Sequence, residues 1–285
     1  MALAGPLRSR VSHPRPKVFV AALVSVIGTC ATCLLALGVL VPLTVGADHD
    51  HAKVSFNNPI TWVGPSPLLP STATGGKSSN WAGYADTGKE QSFTDVKGSW
   101  IEPTISCSSS LSSQNDDAFW VGLDGLATTS QTVEQTGTEG ICEGSTTHYD
   151  AWYEMFPKSA VVAFTIQAGD QITAEVASDG TKRFTLTLTD VTSGKHFQET
   201  LKSASALRSS AEWIVETSSA CNNCLENFGT LTFSGASATE SGTTGGISSF
   251  KNAAITMVSP SDKVMAQPSA LGDGGSSFTV TWKRA

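Results

Sequence analysis

The residues of this chain best suited to chemistry lie between Ala118 and Pro157. Three short runs there alternate aromatic or apolar residues with polar ones, which predicts neighbouring antiparallel strands. The two-residue period of a strand places acids, amides and indole rings on one face. The residues aligned in this way are Trp120, Asp124, Glu134 or Gln135, Asp150, Trp152 and Glu154. Such a face is suited to lining a cleft, although the solvated side of an amphipathic sheet would give the same pattern.

Several common kinds of active site do not fit the sequence. No G-x-S-x-G, HExxH, P-loop or dinucleotide-binding motif occurs, and the chain after residue 78 has only His148 and His196 for a Ser-His-Asp triad. The Asp86-Thr87-Gly88 triplet matches aspartic proteases, but those enzymes need two such aspartates, and no second copy lies in a strand context. We interpret Asp86–Lys89 as a hairpin turn.

The remaining candidates are carboxylates and amides, and two reactions are open to them. Two carboxylates flanking a sugar would hydrolyse glycosides, and tryptophan-rich clefts also stack on sugars. Alternatively, one Glu can take a proton from water while a Gln amide stabilises the oxyanion of a peptide bond under attack. The residue pattern alone does not choose between a glycan-directed protein and a peptidase.

Four segments together resemble the glutamic peptidases, also called eqolisins or family G1. They follow the order of that family from Ser79 to about Phe233, and each is weak alone but specific in combination. The segments are Ser79–Gly83, Phe119–Gly125, Glu134–Gly137 with Tyr149–Glu154, and Ala211–Glu216. The resemblance implies a two-sheet β-sandwich and an acid endopeptidase that needs no metal or cofactor and is insensitive to pepstatin.

The resemblance also assigns residues. The catalytic Gln of the Q-T-G segment falls on Gln135, and the catalytic Glu is the last residue of A-E-W-I-V-E, which makes it Glu216 and not Glu212. The residues expected to line the cleft and contact a protein or peptide substrate are Trp81, Trp120, Asp124, Asp150, Trp152 and Glu154. This chain departs from the fungal pattern in its long apolar N-terminus and in the Cys221–Cys224 loop.

The rest of the chain reads as strands that could hold these residues. From Asn80 onward, short runs rich in Val, Ile, Thr, Phe and Trp alternate with turn residues, and almost no helical periodicity is present. Phe184–Thr189 alternates strictly between apolar residues and threonine. A dozen or so such strands predict an antiparallel β-sandwich of two large sheets, with a barrel as the second choice.

Four of the six cysteines follow the N-terminal apolar segment, namely Cys107, Cys142, Cys221 and Cys224. An even number outside the cytoplasm predicts disulfides, for which three connectivities are possible. We favour Cys107–Cys142 and Cys221–Cys224, the second of which closes a tight turn. A zinc site is disfavoured because the single CxxC has no second CxxC or HxxxH to complete it.

The N-terminus predicts export. Residues 1–47 carry four basic residues and no acid, and an uncharged apolar run follows the last basic residue. The run is also long enough to span a bilayer, so a single-pass anchor stays open beside the cleaved signal that we favour. Residues 48–78 form a Pro-rich linker or pro-segment, and 79–285 form the peptidase domain. The tract Asp48–His51 could bind a metal ion, but such tracts are usually solvated.

Charge limits the partners of this exported domain. Of the 18 Lys and Arg residues, 14 follow residue 47, as do all 25 Asp and Glu residues. So acidic a surface is unsuited to nucleic acid or to anionic membranes. We expect a secreted monomer that acts on protein or peptide substrates and meets a membrane only if the N-terminal segment is retained.

Overall fold

The computed structural model describes residues 53–54, 76–107, 115–217 and 225–284, and its regular secondary structure is almost entirely β-strand. Two short 3₁₀ turns, Ile247–Ser249 and Asp273–Gly275, accompany the strands. The strands are β1 (Lys53–Val54), β2 (Gly76–Ser78), β3 (Trp81–Thr87), β4 (Phe93–Ile101), β5 (Asn115–Leu123), β6 (Val133–Glu143), β7 (Thr146–Phe156), β8 (Ala160–Thr165), β9 (Gln171–Ser178), β10 (Arg183–Asp190), β11 (His196–Lys202), β12 (Ser210–Thr217), β13 (Thr230–Glu240), β14 (Thr243–Gly245), β15 (Lys251–Val258), β16 (Val264–Pro268) and β17 (Phe278–Trp282).

These strands form two large, mainly antiparallel sheets, which confirms the predicted β-sandwich. One sheet, which we call the site sheet, runs β1-β8-β7-β6-β5-β12-β3-β15. The other, the covering sheet, runs β11-β10-β9-β4-β13-β14. Strand β13 joins them, because its first half pairs with β17 and its second half with β4 across a register shift after Ser234. Strands β2 and β15 make a parallel pair.

The main core lies between the two sheets. Strand β12 shows how the sequence builds it: Ala211, Trp213 and Val215 point into this core, whereas the alternate residues point to the other face of the site sheet. The Trp213 indole N–H donates to the Lys97 carbonyl at 2.6 Å, which ties β12 to β4 of the covering sheet. Each aromatic or aliphatic side chain fully buried in this way contributes roughly 1.5–3 kcal/mol to folding.

A second apolar cluster lies on the outer face of the site sheet. Its members come from that sheet and its loops, and they include the three tryptophans Trp81, Trp120 and Trp152. All three are fully buried, as is every residue of β12. The face that carries the predicted site residues is therefore a tightly packed aromatic floor with carboxyl and amide groups set into it.

The preferred disulfide Cys107–Cys142 is confirmed, with the two Cα atoms 5.6 Å apart. It links the segment after β4 to the end of β6, and so fastens one end of the strand that carries Gln135. Cys221 and Cys224 lie outside the described residues, and their pairing stays a prediction. The Asp48–His51 tract also lies outside the described residues.

The interpretation of Asp86–Lys89 as a hairpin turn is wrong. Asp86 and Thr87 are the last residues of β3, which pairs with β12 and β15 in the site sheet, while the next strand, β4, belongs to the covering sheet. The triplet thus stands where the chain crosses between sheets. The alternation of the sequence predicts strands well but does not show which strands pair. None of the described elements is a helix long and apolar enough to span a bilayer.

Candidate active site

Strand β12 lies at the centre of the site sheet, between β3 and β5, and carries Glu216 near its end. Glu216 is opposite Trp81 on β3 and Ala118 on β5. Its carboxylate is held from two sides: the Asn80 amide Nδ2 donates to Oε1 at 3.2 Å, and the Trp120 indole Nε1 donates to Oε2 at 3.0 Å. With 1% of its surface exposed, Glu216 is a buried carboxyl group whose geometry is fixed by its neighbours.

Gln135 lies on β6, opposite Gly122 on β5 and Glu154 on β7. Its Nε2 donates a hydrogen bond of 2.5 Å to Glu154 Oε2. Its Oε1 is buried and has no hydrogen-bond partner among the described residues. Since an amide nitrogen has two N–H groups, one of them stays available for a ligand after Glu154 takes the other. Glu154 therefore fixes which end of the Gln135 amide can act as donor.

Trp120 connects the two catalytic candidates. Register places Gln135 in the cross-strand row of Glu212 and Gly122, and Glu216 lies four residues further along β12. Trp120 lies in the row between Glu212 and Glu216, opposite Ile214 and Gly137. A Cβ added to Gly122 would be 3.0 Å from the Trp120 ring and 3.0 Å from the Gln135 Cβ. Glycine at 122 thus leaves room for the indole ring to reach from Gln135 to Glu216.

The electrostatics of Glu216 differ from what its proposed role as a base suggests. An ionised base at low pH calls for a carboxyl whose pKa is close to its ordinary range, but burial raises the pKa of Glu216 well above it. The Trp81 indole lowers the pKa, the negative charge of Glu154 raises it, and the donors Trp120 and Asn80 lower it again. Burial therefore has a larger effect on the pKa of this carboxyl than the hydrogen bonds that favour its ionisation.

The three tryptophans Trp81, Trp120 and Trp152 lie close together on the outer face of the site sheet. Trp81 and Trp120 make an edge-to-face pair with ring centroids 4.9 Å apart and an interplanar angle of 78°. Trp152 lies across Gly137 on β7, in the row of Trp120. A Cβ at Gly137 would come within 2.2 Å of the Phe119 carbonyl oxygen, so only glycine allows β5 and β6 to lie this close beneath the rings. Whether the three rings contact substrate stays a prediction.

The two predicted aspartates have different surroundings. Asp150 is half-buried on β7, two residues before Trp152, and burial raises the pKa of its carboxyl while bonds from Thr165 and the charge of His148 lower it. Asp124 adopts the left-handed backbone region at φ 72° just after β5. Its carboxylate accepts the backbone N–H groups of Arg208 at 2.6 Å and Ser209 at 2.9 Å. Asp124 therefore fixes the entry into β12, and substrate contact by either residue stays a prediction.

Glu212 and Glu134 have different surroundings from the catalytic candidates Glu216 and Gln135. Glu134 is opposite Leu123 and Met155, which belong to the main core. Of the two residues that the sequence left open for the outer face, Glu134 and Gln135, it is therefore Gln135 that lies there. Burial raises the pKa of Glu212 well above its ordinary value, and the charges of Asp124, Asp86 and Glu134 raise it further. The carboxyl oxygens of Glu212, Asp86 and Glu134 are buried without hydrogen-bond partners among the described residues.

Three residues of this site were not singled out from the sequence. Asn80 bonds to Glu216, and Ser78 bonds to Asn80. Glu139 lies four residues after Gln135 on the same face, between Ala118 and Asp150, with both carboxyl oxygens buried and unpartnered in the described part of the chain. The two-residue period of β6 could have indicated Glu139, whereas the Asn80 contact joins residues far apart in sequence. Among the described residues, no group of three or more His, Cys, Asp or Glu side chains is arranged to hold a metal ion.

Comparison with known proteins agrees with this geometry. The family model "Peptidase A4 family" matches residues 79–282. Aspergillopepsin-2 of Aspergillus niger is 32% identical over 228 residues, which cover 72% of this chain and 78% of that protein. The crystal structure of scytalido-glutamic peptidase with a transition state analog inhibitor matches 72% of this chain and 98% of its own, at 22% identity and a TM-score of 0.61. The crystal structure of aspergilloglutamic peptidase from Aspergillus niger matches 59% of this chain and 99% of its own chain, at 31% identity and a TM-score of 0.51. This chain therefore belongs to the Peptidase A4 family, the glutamic endopeptidases or eqolisins.

Proposed function

We propose that this glutamic endopeptidase hydrolyses peptide bonds with Glu216 as the general base and Gln135 as the oxyanion donor. One observation carries the assignment: a carboxylate and an amide lie on one face of the site sheet, each oriented by a hydrogen-bond partner that leaves its reactive group available. Glu216 is held by Asn80 and Trp120. Gln135 is held by Glu154 through one N–H group only.

The reaction follows from what these two groups can donate and accept. Ionised Glu216 takes a proton from water as the water oxygen attacks the carbonyl carbon of the peptide. The second N–H group of Gln135 donates to the carbonyl oxygen as it becomes negative, and the neutral amide does not compete for the proton. Glu216 then returns the proton to the amide nitrogen, the C–N bond breaks, and the products are a carboxylic acid and an amine.

The unpartnered Oε1 of Gln135 suggests where the attacking water is held. A buried acceptor without a partner costs free energy unless a ligand or water satisfies it. A water that donates one hydrogen to Gln135 Oε1 and the other to Glu216 would be oriented with its lone pair free to attack. The same amide would then position the water with its oxygen and stabilise the oxyanion with its nitrogen.

Burial of Glu216 affects the pH range of this mechanism. The base must be deprotonated, so a raised pKa moves the low-pH limb of the activity profile upward from the ordinary range of a glutamate. The N–H donors counteract that effect because they stabilise the carboxylate. The hydrogen bonds from Trp120 and Asn80 therefore extend the range of acidic pH in which the enzyme keeps an ionised base.

We further propose that the surrounding side chains bind an extended protein or peptide substrate along the site sheet. The buried rings of Trp81, Trp120 and Trp152 form the floor of this substrate site. The proposed hydrogen-bond partners of the substrate are Asp124, Asp150 and Glu154. The enzyme acts as a secreted monomer, with residues 1–47 as its export segment, 48–78 as a linker or pro-segment and 79–285 as the catalytic domain. The proposed chemistry uses no metal and no cofactor.

Purified enzyme incubated with denatured protein at acidic and neutral pH tests this proposal. We expect peptide cleavage at acidic pH that persists with pepstatin, since that inhibitor imitates a transition state held between two aspartates, and persists with a chelator. Loss of cleavage with pepstatin would indicate aspartic catalysis, and loss with the chelator would indicate a metal enzyme. Release of reducing sugar without peptide cleavage would favour the glycan-directed alternative.

A further inference from the structure

The contact between Asn80 and Glu216 connects the catalytic candidate to a buried polar turn. Asn80 and Ser78 are both fully buried, and Asn80 Nδ2 donates to Glu216 Oε1 at 3.2 Å. The Asn80 carbonyl in turn accepts the backbone N–H of Thr217 at 3.0 Å. Asn80 is thus bound to the end of β12 by its main chain and by its side chain.

Ser78 determines the orientation of the Asn80 amide. Its Oγ accepts the backbone N–H groups of Asn80 at 3.2 Å and Trp81 at 3.0 Å, which fixes the turn between β2 and β3. The hydroxyl hydrogen is donated to Asn80 Oδ1 at 2.9 Å. With its oxygen committed to Ser78, the Asn80 amide presents its N–H₂ group, and not its oxygen, to Glu216.

This orientation selects one charge state of Glu216. An amide nitrogen can only donate, so the Asn80 contact is satisfied by a carboxylate oxygen and gains most when that oxygen is charged. Trp120 Nε1, which also can only donate, engages the other oxygen. The charge of Glu154 on β7 opposes ionisation of Glu216. The carboxyl groups of Glu139 and Asp150 lie in the same cross-strand row as Glu216, on β6 and β7.

We propose that Asn80, oriented by Ser78, is a positioning residue that holds Glu216 in the ionised form required of the base. The inference rests on the proposed role of Glu216 and extends it to a two-residue device at the start of β3. Asn80 touches neither water nor substrate in this role and acts through Glu216. Ser78 in turn acts through Asn80.

The test measures the ionisation of Glu216 directly. Protein with carboxyl-¹³C-labelled glutamate is titrated by NMR over the pH range in which it stays folded, and the Glu216 resonance is identified by its loss in Glu216→Gln. Because a hydrogen bond to a charged group contributes about 1.5–3 kcal/mol, we expect Asn80→Ala to raise the Glu216 midpoint by roughly one to two pH units. The low-pH limb of kcat/KM should move upward with it.

Matched variants separate positioning from a general structural effect. Ser78→Ala should raise the midpoint in the same direction by a smaller amount, because the freed amide can rotate, and Ser78→Thr should restore the wild-type value. Glu154→Gln should lower the midpoint, since it removes a negative charge that opposes ionisation. Asn115→Ala removes another buried amide–carboxyl bond, to Glu226 at 2.9 Å, and should leave the Glu216 midpoint unchanged.

An unchanged midpoint in both Asn80→Ala and Ser78→Ala would overturn the proposal, whatever happens to activity. If Asn80→Ala does not fold, the nearly isosteric Asn80→Asp replaces it and should raise the midpoint, because a second carboxyl then faces Glu216. The titration does not require turnover. A wild-type protein with a normal titration but no peptide cleavage would therefore refute the proposed function and leave the positioning result intact.

Discussion

At the scale of single residues, the proposed chemistry depends on Glu216 having a hydrogen-bonded environment that Glu212 lacks. Both glutamates lie on the outer face of β12, and both are buried. Glu216 has two N–H donors on its carboxylate, whereas the charges of three other carboxyl groups raise the pKa of Glu212. Of the two, Glu216 is the glutamate whose carboxylate accepts N–H hydrogen bonds that favour the ionised state a base needs.

We therefore expect Glu216→Gln to abolish peptide cleavage while the protein stays folded, because shape is kept and only the proton acceptor is lost. Gln135→Glu should also be strongly impaired, since loss of a side-chain oxyanion donor costs about a hundred- to a thousandfold in kcat. Peptide cleavage and circular dichroism of each variant provide the measurement. Glu212→Gln is the matched control on the same strand, and a dead Glu212→Gln beside an active Glu216→Gln would show that the wrong glutamate has been assigned.

The sequence could identify some of these residues and not others. Gln135 and Glu216 stand in short motifs whose order along the chain was enough to select them. Asn80 was also inside a recognised motif, but its function depends on a contact with a residue far along the chain. The charge state of Glu216 could not be predicted from the sequence either, since the burial of Glu216 depends on how both faces of β12 are packed.

At the scale of elements, the alternation of apolar and polar residues predicted where strands occur. It did not predict which strands pair, because packing decides the pairing. The strictly alternating segment Phe184–Thr189, predicted as a strand, lies within β10. By contrast, the chain crosses between sheets after β3, where a hairpin turn was expected. A turn sequence is compatible with either connection, because the same few residues reverse the chain within one sheet or carry it to the other.

The Cys107–Cys142 disulfide provides a test at this scale. The two cysteines are 35 residues apart, so the bond restricts a long loop of the unfolded chain. We expect Cys107→Ala with Cys142→Ala to lower the free energy of unfolding by roughly 3–4 kcal/mol, as measured by urea denaturation at acidic pH. Alkylation without reductant should find no free thiol among the four cysteines of the domain. An unchanged denaturation midpoint in the double variant would contradict a stabilising role for this bond.

At the scale of the whole molecule, the unusual feature is the number of carboxyl groups that are buried without an ion-pair partner among the described residues. Burial raises the pKa of Asp86 to about 9, with a further contribution from the charge of Glu240, and burial raises the pKa values of Glu102 and Glu134 to about 8. Neither oxygen of Asp86 or Glu134 has a hydrogen-bond partner in the described part of the chain. Such groups are compatible with the fold only when protonated.

This arrangement predicts a fold that is stable in acid and loses stability toward neutral pH. The unfolded chain releases these protons near the ordinary values of 3.8 for Asp and 4.5 for Glu, whereas the folded protein retains them up to about 8 or 9. Between those limits the folded state binds more protons, so the free energy of unfolding falls as pH rises. Their contribution is fully present below about pH 4 and is lost by about pH 9, which can be measured by denaturant unfolding across that range.

Asp86→Asn isolates one such group. Asparagine keeps the shape but cannot ionise, so the variant should be similar to or slightly less stable than wild type at pH 4 and more stable at pH 7, on the order of 2–4 kcal/mol. Glu199→Gln, on the exposed strand β11, is the matched control and should leave the slope of stability against pH nearly unchanged. Glu212→Gln should behave like Asp86→Asn while retaining peptidase activity, because Glu212 belongs to the buried acids and not to the proposed catalytic pair. A slope equal to that of wild type in both Asp86→Asn and Glu212→Gln would show that these acids do not limit the enzyme to acidic conditions.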